Sequence, residues 1–321
     1  CALPIYPVSG QLLSPAEMFV EHTRRTAFAD QLERLWHMRS SDNPRQRHDT
    51  LITTLTFIGE LPRLSADFSH IAELSVHGST TLSATDAFLG SFTGLRHLEL
   101  HDFNLAEIPR ACARMPSLQR LILENCRLSL TSPGQTILSP LNALQYLNLS
   151  RNPLGAPPPL ESLPALTHLR LVDTQLTSVP DGLLTHPRLT VAIFDRNRIS
   201  ELPEDLFDIP VNTPRQFTFA DNPLTPATRD RVKVCFQEHR QNFGVSMPNE
   251  DLDRLIELFP SVDREDAERV LYLLPGTIEQ GRAQIARWES ELQQLVEALH
   301  RWVGDIPERF PATDEVLSQI E

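Results

Sequence analysis

The sequence predicts an α/β solenoid, a horseshoe of parallel strands flanked by N-terminal and C-terminal α-helical segments. Three observations carry this. An apolar residue recurs at positions 1, 4, 6 and usually 11 of a frame that starts at 71, 95, 118, 144, 166, 189 and 214. Position 9 of that frame holds Asn152, Asn197 and Asn222, with Cys126 and Thr174 in other copies. Prolines then punctuate the second half of the units, as in Ile108-Pro109, Val179-Pro180 and Leu202-Pro203. A unit of this length cannot bury its own apolar face, so neighbours must stack and bury it together.

The elements follow in order. Residues 1–50 read as an N-terminal helical cap and linker. Ala16, Phe19, Val20, Ala27, Phe28, Leu32, Leu35 and Trp36 recur at helical steps over 15–39, with Ser14 as cap and Pro15 at the first helical position. Ser40 to Asp49 is the linker, and Ile52, Leu55 and Phe57 suggest an irregular eighth copy of the frame. The array occupies 51–225. Its clearest copies are Leu95-Leu98-Leu100-Leu105, Leu118-Leu121-Leu123-Leu128, Leu144-Leu147-Leu149-Leu154 and Leu166-Leu169-Leu171-Leu176. Looser copies begin at Ile71, Leu189 and Pro214. Side chains alternate along a strand, so positions 4 and 6 point inward while 3, 5 and 7 face the concave side. The proline-bearing halves should be short turns or single 3₁₀ turns. Residues 226–247 form a closing cap helix over Thr225 to Gln241. The segment 248–321 is helical: Asp251 to Phe259, Asp263 to Leu274, then a long helix capped by Thr277 and Gln280 and reaching about Val303. Ile285, Trp288, Leu292, Leu295, Leu299 and Trp302 make a heptad seam on it, read as one side of an intramolecular helix hairpin in preference to a dimeric coiled coil, since only three heptads are present.

This frame is the leucine-rich-repeat signature, within its usual period of about 20–29 residues. The flanks narrow the likeness. The run Ala27 to Trp36 (AFADQLERLW), Asn152-Pro153-Leu154, Asn222 to Thr228 (NPLTPAT), and Leu274-Pro275-Gly276 through Trp288 to Trp302 resemble the large leucine-rich-repeat proteins of plant-associated Pseudomonas and related bacteria. These are similar to secreted effectors that join repeats to a novel E3 ubiquitin ligase domain. The resemblance implies a bacterial virulence protein delivered to the host cytoplasm, in which the repeats bind a host protein for ubiquitination. It also implies a Cys-x-Asp nucleophile in a separate helical domain. Here the residues two places after Cys1, Cys112, Cys126 and Cys235 are Leu3, Arg114, Leu128 and Gln237, so the catalytic part is absent from this chain. A chain that opens on Cys1 rather than Met is expected to be a piece of a longer protein.

Composition narrows the partner. The 321 residues carry 42 acidic and 29 basic side chains, a net charge of −13. That disfavours nucleic acid or an anionic membrane surface, which reward surplus Lys and Arg, and weakly favours a basic partner. No apolar run of eighteen residues spans a bilayer, and no signal peptide is visible. The scattered cysteines form no CxxC pair and read as reduced thiols, with Cys126 a small buried stand-in for Asn at position 9.

The concave columns supply the candidate site. Position 3 gives His97, Arg120, Tyr146, His168 and Val191; position 5 gives Glu99, Ile122, Asn148, Arg170 and Ile193; position 7 gives His101, Glu124, Val172 and Asp195. Exposed apolar residues among Tyr146, Arg120 and Arg170 suit a protein interface. His77, His101 and Glu124 fall in line on successive strands, a row that reads as a solvated patch, responsive to pH through His77, His97 and His101, rather than as a zinc site. No phosphate loop, nucleophile elbow or HExxH occurs, and no cofactor is expected. Asn148-Leu149-Ser150 is a glycosylation sequon of consequence only in a eukaryotic secretory pathway. The function expected is a protein-recognition module, the substrate-binding part of a secreted bacterial ligase. The alternative is a non-enzymatic leucine-rich-repeat scaffold or adhesion protein, which would otherwise be cytoplasmic. A monomer is expected, and a lid formed by the helical tail over the repeats is left open.

Overall fold

The computed structural model describes residues 13–37, 49–209 and 215–305. The linker from Ser40, the seventh frame's Pro214, Cys1 and the chain beyond Asp305 lie outside the described residues. Two compact units form, Cys1–Cys235 with His239–Ser246, and Phe236–Glu238 with Met247–Glu321.

The first unit opens with α1 (Pro15–His37). Its start is a capping box: Ser14 Oγ accepts from the Glu17 N–H, and Glu17 Oε2 accepts from the Ser14 N–H at 2.8 Å. These bonds to Ser14 hold the exposed Glu17 carboxyl below its ordinary range. Only part of the expected stripe is buried. Phe28, Leu32 and Leu35 are inside, with Phe28 5.4 Å from the Phe57 ring, whereas Phe19 is 72% exposed and Trp36 39%. The stripe instead includes Glu21, buried because it pairs with Arg25 at 2.9 Å and accepts from the Ile58 N–H.

Next come β1 (Thr50–Thr54), β2 (Gly59–Glu60), β3 (Glu73–His77), β4 (Leu82–Ser83), α2 (Thr85–Leu89), β5 (His97–His101) and β6 (Arg120–Glu124). Then follow α3 (Ser132–Leu138), β7 (Tyr146–Asn148), β8 (His168–Arg170), β9 (Val191–Ile193), β10 (Gln216–Thr218) and α4 (Pro226–His239). Eight strands make one parallel sheet in the order β1-β3-β5-β6-β7-β8-β9-β10, and β2 pairs with β4 beside it. The register sets Leu51, Leu74, Leu98, Leu121, Leu147, Leu169, Ala192 and Phe217 in one inward row. The expected frame thus holds from Ile71 on, but the irregular eighth copy does not begin at Ile52. Leu51, Leu55 and Phe57 are the buried residues there, and Ile52, of opposite parity, stands on the concave side at 68% exposure.

Position 9 works as anticipated. Asn152 donates to the carbonyls of Leu123, Leu149 and Ser150, and its Oδ1 accepts from the N–H groups of Cys126 and Leu128. Asn197 does the same one strand pair along, and Cys126 Sγ reaches the Leu100 carbonyl at 3.4 Å. Just before it, position 8 is left-handed in six frames: Asp102, Asn125, Arg151, Asp173, Arg196 and Asp221 all have φ between 55° and 63°. Asp and Asn tolerate this region; the two arginines are held there by the ladder behind them. The convex halves are 3₁₀ turns at 110–114, 160–162 and 204–206, but short α-helices at α2 and α3. Gly94 lets the backbones meet, since a Cβ there would collide with the Ser69 carbonyl. At the far edge, the Phe219 N–H donates to the Phe243 carbonyl, and Val232 and Cys235 of α4 are buried, so the last strand is covered.

The second unit packs α5 (Asn249–Leu258), α6 (Arg264–Leu273) and α7 (Ile278–Gly304) around Leu252, Leu255, Ala267, Leu271 and Ile285. The Thr277–Gln280 capping box is present. Buried Asp251 accepts from Arg282 Nε with both oxygens at 2.9 Å, and this bond raises the Arg282 pKa. The heptad seam is covered only through Trp288, whose ring meets Phe259 edge-on at 5.8 Å. Leu292, Leu295, Leu299 and Trp302 stay exposed, Trp302 at 75%, so the hairpin expected from the seam is not formed by the described residues.

Candidate concave recognition face

Strands β1, β3 and β5 through β10 carry the three outward columns. Register brings His97, Arg120, Tyr146, His168 and Val191 into one row, and Glu99, Ile122, Asn148, Arg170 and Ile193 into the next. His101 and Glu124 are register partners, and Val172 and Asp195 follow β8 and β9.

In the N-terminal half, acids lie against imidazoles and hydroxyls. Glu73 lies 3.1 Å from His97 Nδ1 and accepts from Thr50 Oγ1 at 3.3 Å. Glu99 accepts from Ser75 Oγ at 3.2 Å and sits 4.0 Å from His101 Nε2. His77 and His101 stack ring on ring at 4.4 Å and 9°. Glu124 pairs with Arg151 at 3.5 Å and accepts from Asn148 Nδ2 at 3.4 Å. His77 and His101 thus stand face to face, and among the described residues no group of three His, Cys, Asp or Glu side chains is placed to hold a metal ion.

The centre is a stack of another kind. The Arg120 guanidinium lies 4.4 Å over the Tyr146 ring, and Tyr146 lies 5.9 Å from the His168 ring at 28°. His168 Nδ1 is held 2.9 Å from Thr167 Oγ1. Arg170 stands exposed one row away, and Val172, Val191 and Ile193 form a partly exposed apolar patch beside it.

Two of the expected contact residues are buried. Ile122 is 7% exposed, held between Glu99 and Asn148, and belongs to the core more than to an interface. Asn148 is buried as well: its Oδ1 accepts from the Ser150 N–H, and its amide is bonded to Glu124. Asp195 is committed to the Ala220 N–H at 2.9 Å. What the sequence reading missed is Ile52 at the N-terminal end of the position-5 row, and a separate apolar groove of about 770 Å³ lined by Phe28, Leu32, Phe57, Pro62, Leu64 and Phe68. Its signal was the aromatic residues shared between α1 and residues 57–68.

A Leucine Rich Repeat family model matches residues 143–163. The chain carries a leucine-rich-repeat region. Podocan-like protein 1 of Homo sapiens is 36% identical over 156 residues, which make up 47% of this chain and 28% of that protein. The chain thus matches less than a third of this curated relative's length. Among solved structures, human 5T4 (trophoblast glycoprotein) covers 73% of this chain and 87% of its own at a TM-score of 0.50 and 22% identity, which shows the shared fold. A chain of the Drosophila Toll–Spatzle complex covers 54% of this chain and 23% of its own, with a TM-score of 0.43 and 19% identity. No helix among the described residues is long and apolar enough to cross a membrane.

Proposed function

We propose that this chain is a protein-recognition module that receives its partner on the concave face of the leucine-rich repeats. The observation that carries the reading is the central stack, Arg120 on Tyr146 on His168, standing outward beside Arg170 and an apolar patch. Tyr and Arg dominate interface energetics because they offer large, rigid contact area with a polar edge. Held in place by stacking, these side chains lose little freedom on binding. A partner of ordinary size would cover about 800 Å² of this surface.

The repeats are, in this proposal, the substrate-binding part of a secreted bacterial ubiquitin ligase acting in the host cytoplasm, a reading supported by the sequence resemblance of the flanks alone. The second reading, a scaffold with no enzyme attached, draws on the 36% identity to a podocan-like protein, which is not named a ligase. Capture from a eukaryotic lysate tests the face. Wild type is expected to retain proteins that a Tyr146→Ala, Arg170→Ala double variant releases; an unchanged captured set refutes the concave reading. Incubation with ubiquitin and its activating and conjugating enzymes tests the chain itself, where chain formation by these residues would overturn their assignment to recognition only.

A further inference from the structure

We propose that the partner segment presents a carboxylate beside an apolar side chain, the first docking on Arg120 and Arg170 and the second on Val172, Val191 and Ile193. This rests on the concave-face reading above. The argument is a charge balance over the face. The outward columns from Thr50 to Ala220 contain four carboxylates, and each already has a donor from this chain. Glu73 has Thr50 and His97; Glu99 has Ser75 and His101; Glu124 has Arg151 and Asn148; Asp195 has the Ala220 N–H.

The two arginines of the same columns are in the opposite condition. Among the described residues neither Arg120 nor Arg170 makes an ion pair. Arg120 is engaged with the Tyr146 ring, its Cζ 4.4 Å from the centroid. A guanidinium without an ion-pair partner can receive a carboxylate with two parallel hydrogen bonds. So a chain of net charge −13 exposes uncompensated positive charge at the middle of its recognition face. The weak expectation of a basic partner, drawn from net charge, is thereby reversed locally.

Position fixes the second half of the pattern. Arg170 is the register partner of Ile193, and His168 of Val191, so the apolar patch adjoins the cationic one on the next strand. The strands of Arg120 and Arg170 are two apart, roughly 10 Å, about the span of three extended residues. A short segment can therefore reach both arginines while seating an apolar side chain on β9. A nucleic acid fits less well, because its continuous phosphates would meet Glu73, Glu99 and Glu124 along the same face.

The test uses the full 321-residue chain and a display library of short random peptides. Selected peptides should carry Asp or Glu within three residues of a large apolar side chain. A synthetic copy should lose at least about tenfold in affinity on Glu→Gln within the peptide, and again on Arg120→Ala, Arg170→Ala in the chain, with Arg170→Lys losing less. Added salt should weaken binding. Peptides without acids that still release on Tyr146→Ala would overturn the carboxylate while leaving the concave face intact. Peptides indifferent to every concave substitution would overturn both. A library that yields no binder overturns the short-segment proposal and leaves the face to the lysate capture.

Discussion

Inward and outward side chains alternate along the same strands, yet they lead opposite lives. Inward, at and around position 9, each polar group is matched: Asn152, Asn197, Asn222, Thr174 and Cys126 all bond the backbone of their own or the neighbouring repeat. Outward, the carboxylates of the N-terminal half have donors from this chain, while Arg120 and Arg170 make no ion pair among the described residues. Where burial forbids an unmet hydrogen bond, variation is forbidden too; where water is present, a group can wait for a partner. The inward side thus makes the fold, and the outward side carries the groups on which we propose that a partner docks.

Four experiments press on that division, starting with the largest effect. Burial is the chief cause that pushes the Cys112 and Cys126 thiols up to about 12. An acid whose pKa is raised by folding stays protonated in the native state while the unfolded chain ionises near 8.5. Between those values the folded thiols remain neutral, and their contribution to stability declines as pH rises. At pH 8, alkylation of both should be about a thousandfold slower in the native chain than in denaturant, since only thiolate reacts. Rapid native labelling would show that the inward ladder opens.

Asn152→Ala comes next. It strands the N–H groups of Cys126 and Leu128 and removes donors from three carbonyls, so a loss of about 3 kcal/mol or more in denaturant unfolding is expected. A loss below roughly 1 kcal/mol would mean water replaces the amide. Third, Ile122→Ala should destabilise by about 2 kcal/mol although it stands in an outward column, while Ile193→Ala in the same row should lose under about 1 kcal/mol. Equal losses would erase the distinction drawn between those two sites. Smallest, Arg120→Ala should change stability by no more than about 0.5 kcal/mol, because its cation–π contact with Tyr146 is only half-buried.

How much of this was legible beforehand depends on what sets each feature. Local alternation does so for Leu98, Leu121, Leu147 and Leu169, and their spacing alone placed the sheet register. Position 9 was equally readable where it holds Asn, Thr or Cys, because these side chains reach the neighbouring carbonyls. The burial of Ile122 was not, since it comes from neighbours two dozen residues away on either side that converge on a concave surface. Ile52 was misassigned because Leu51, Leu55 and Phe57 and the residue beside them all fit an apolar frame; only pairing with Leu74 decides the parity. On α1 the apolar period is real, but Met18, Phe19 and Val20 stay exposed, and periodicity cannot say where a covering surface ends. The charge state of the face was the least readable. Counting acids and bases gave −13, whereas the geometry shows which charges already have company.

One pairing of measurements tests the division most directly: the melting temperature of the Arg120→Ala, Arg170→Ala variant, and its affinity for a peptide selected by wild type. Melting within a few degrees of wild type together with at least about a tenfold loss of affinity is the predicted result. A variant that melts far lower, or one that keeps full affinity, would contradict it.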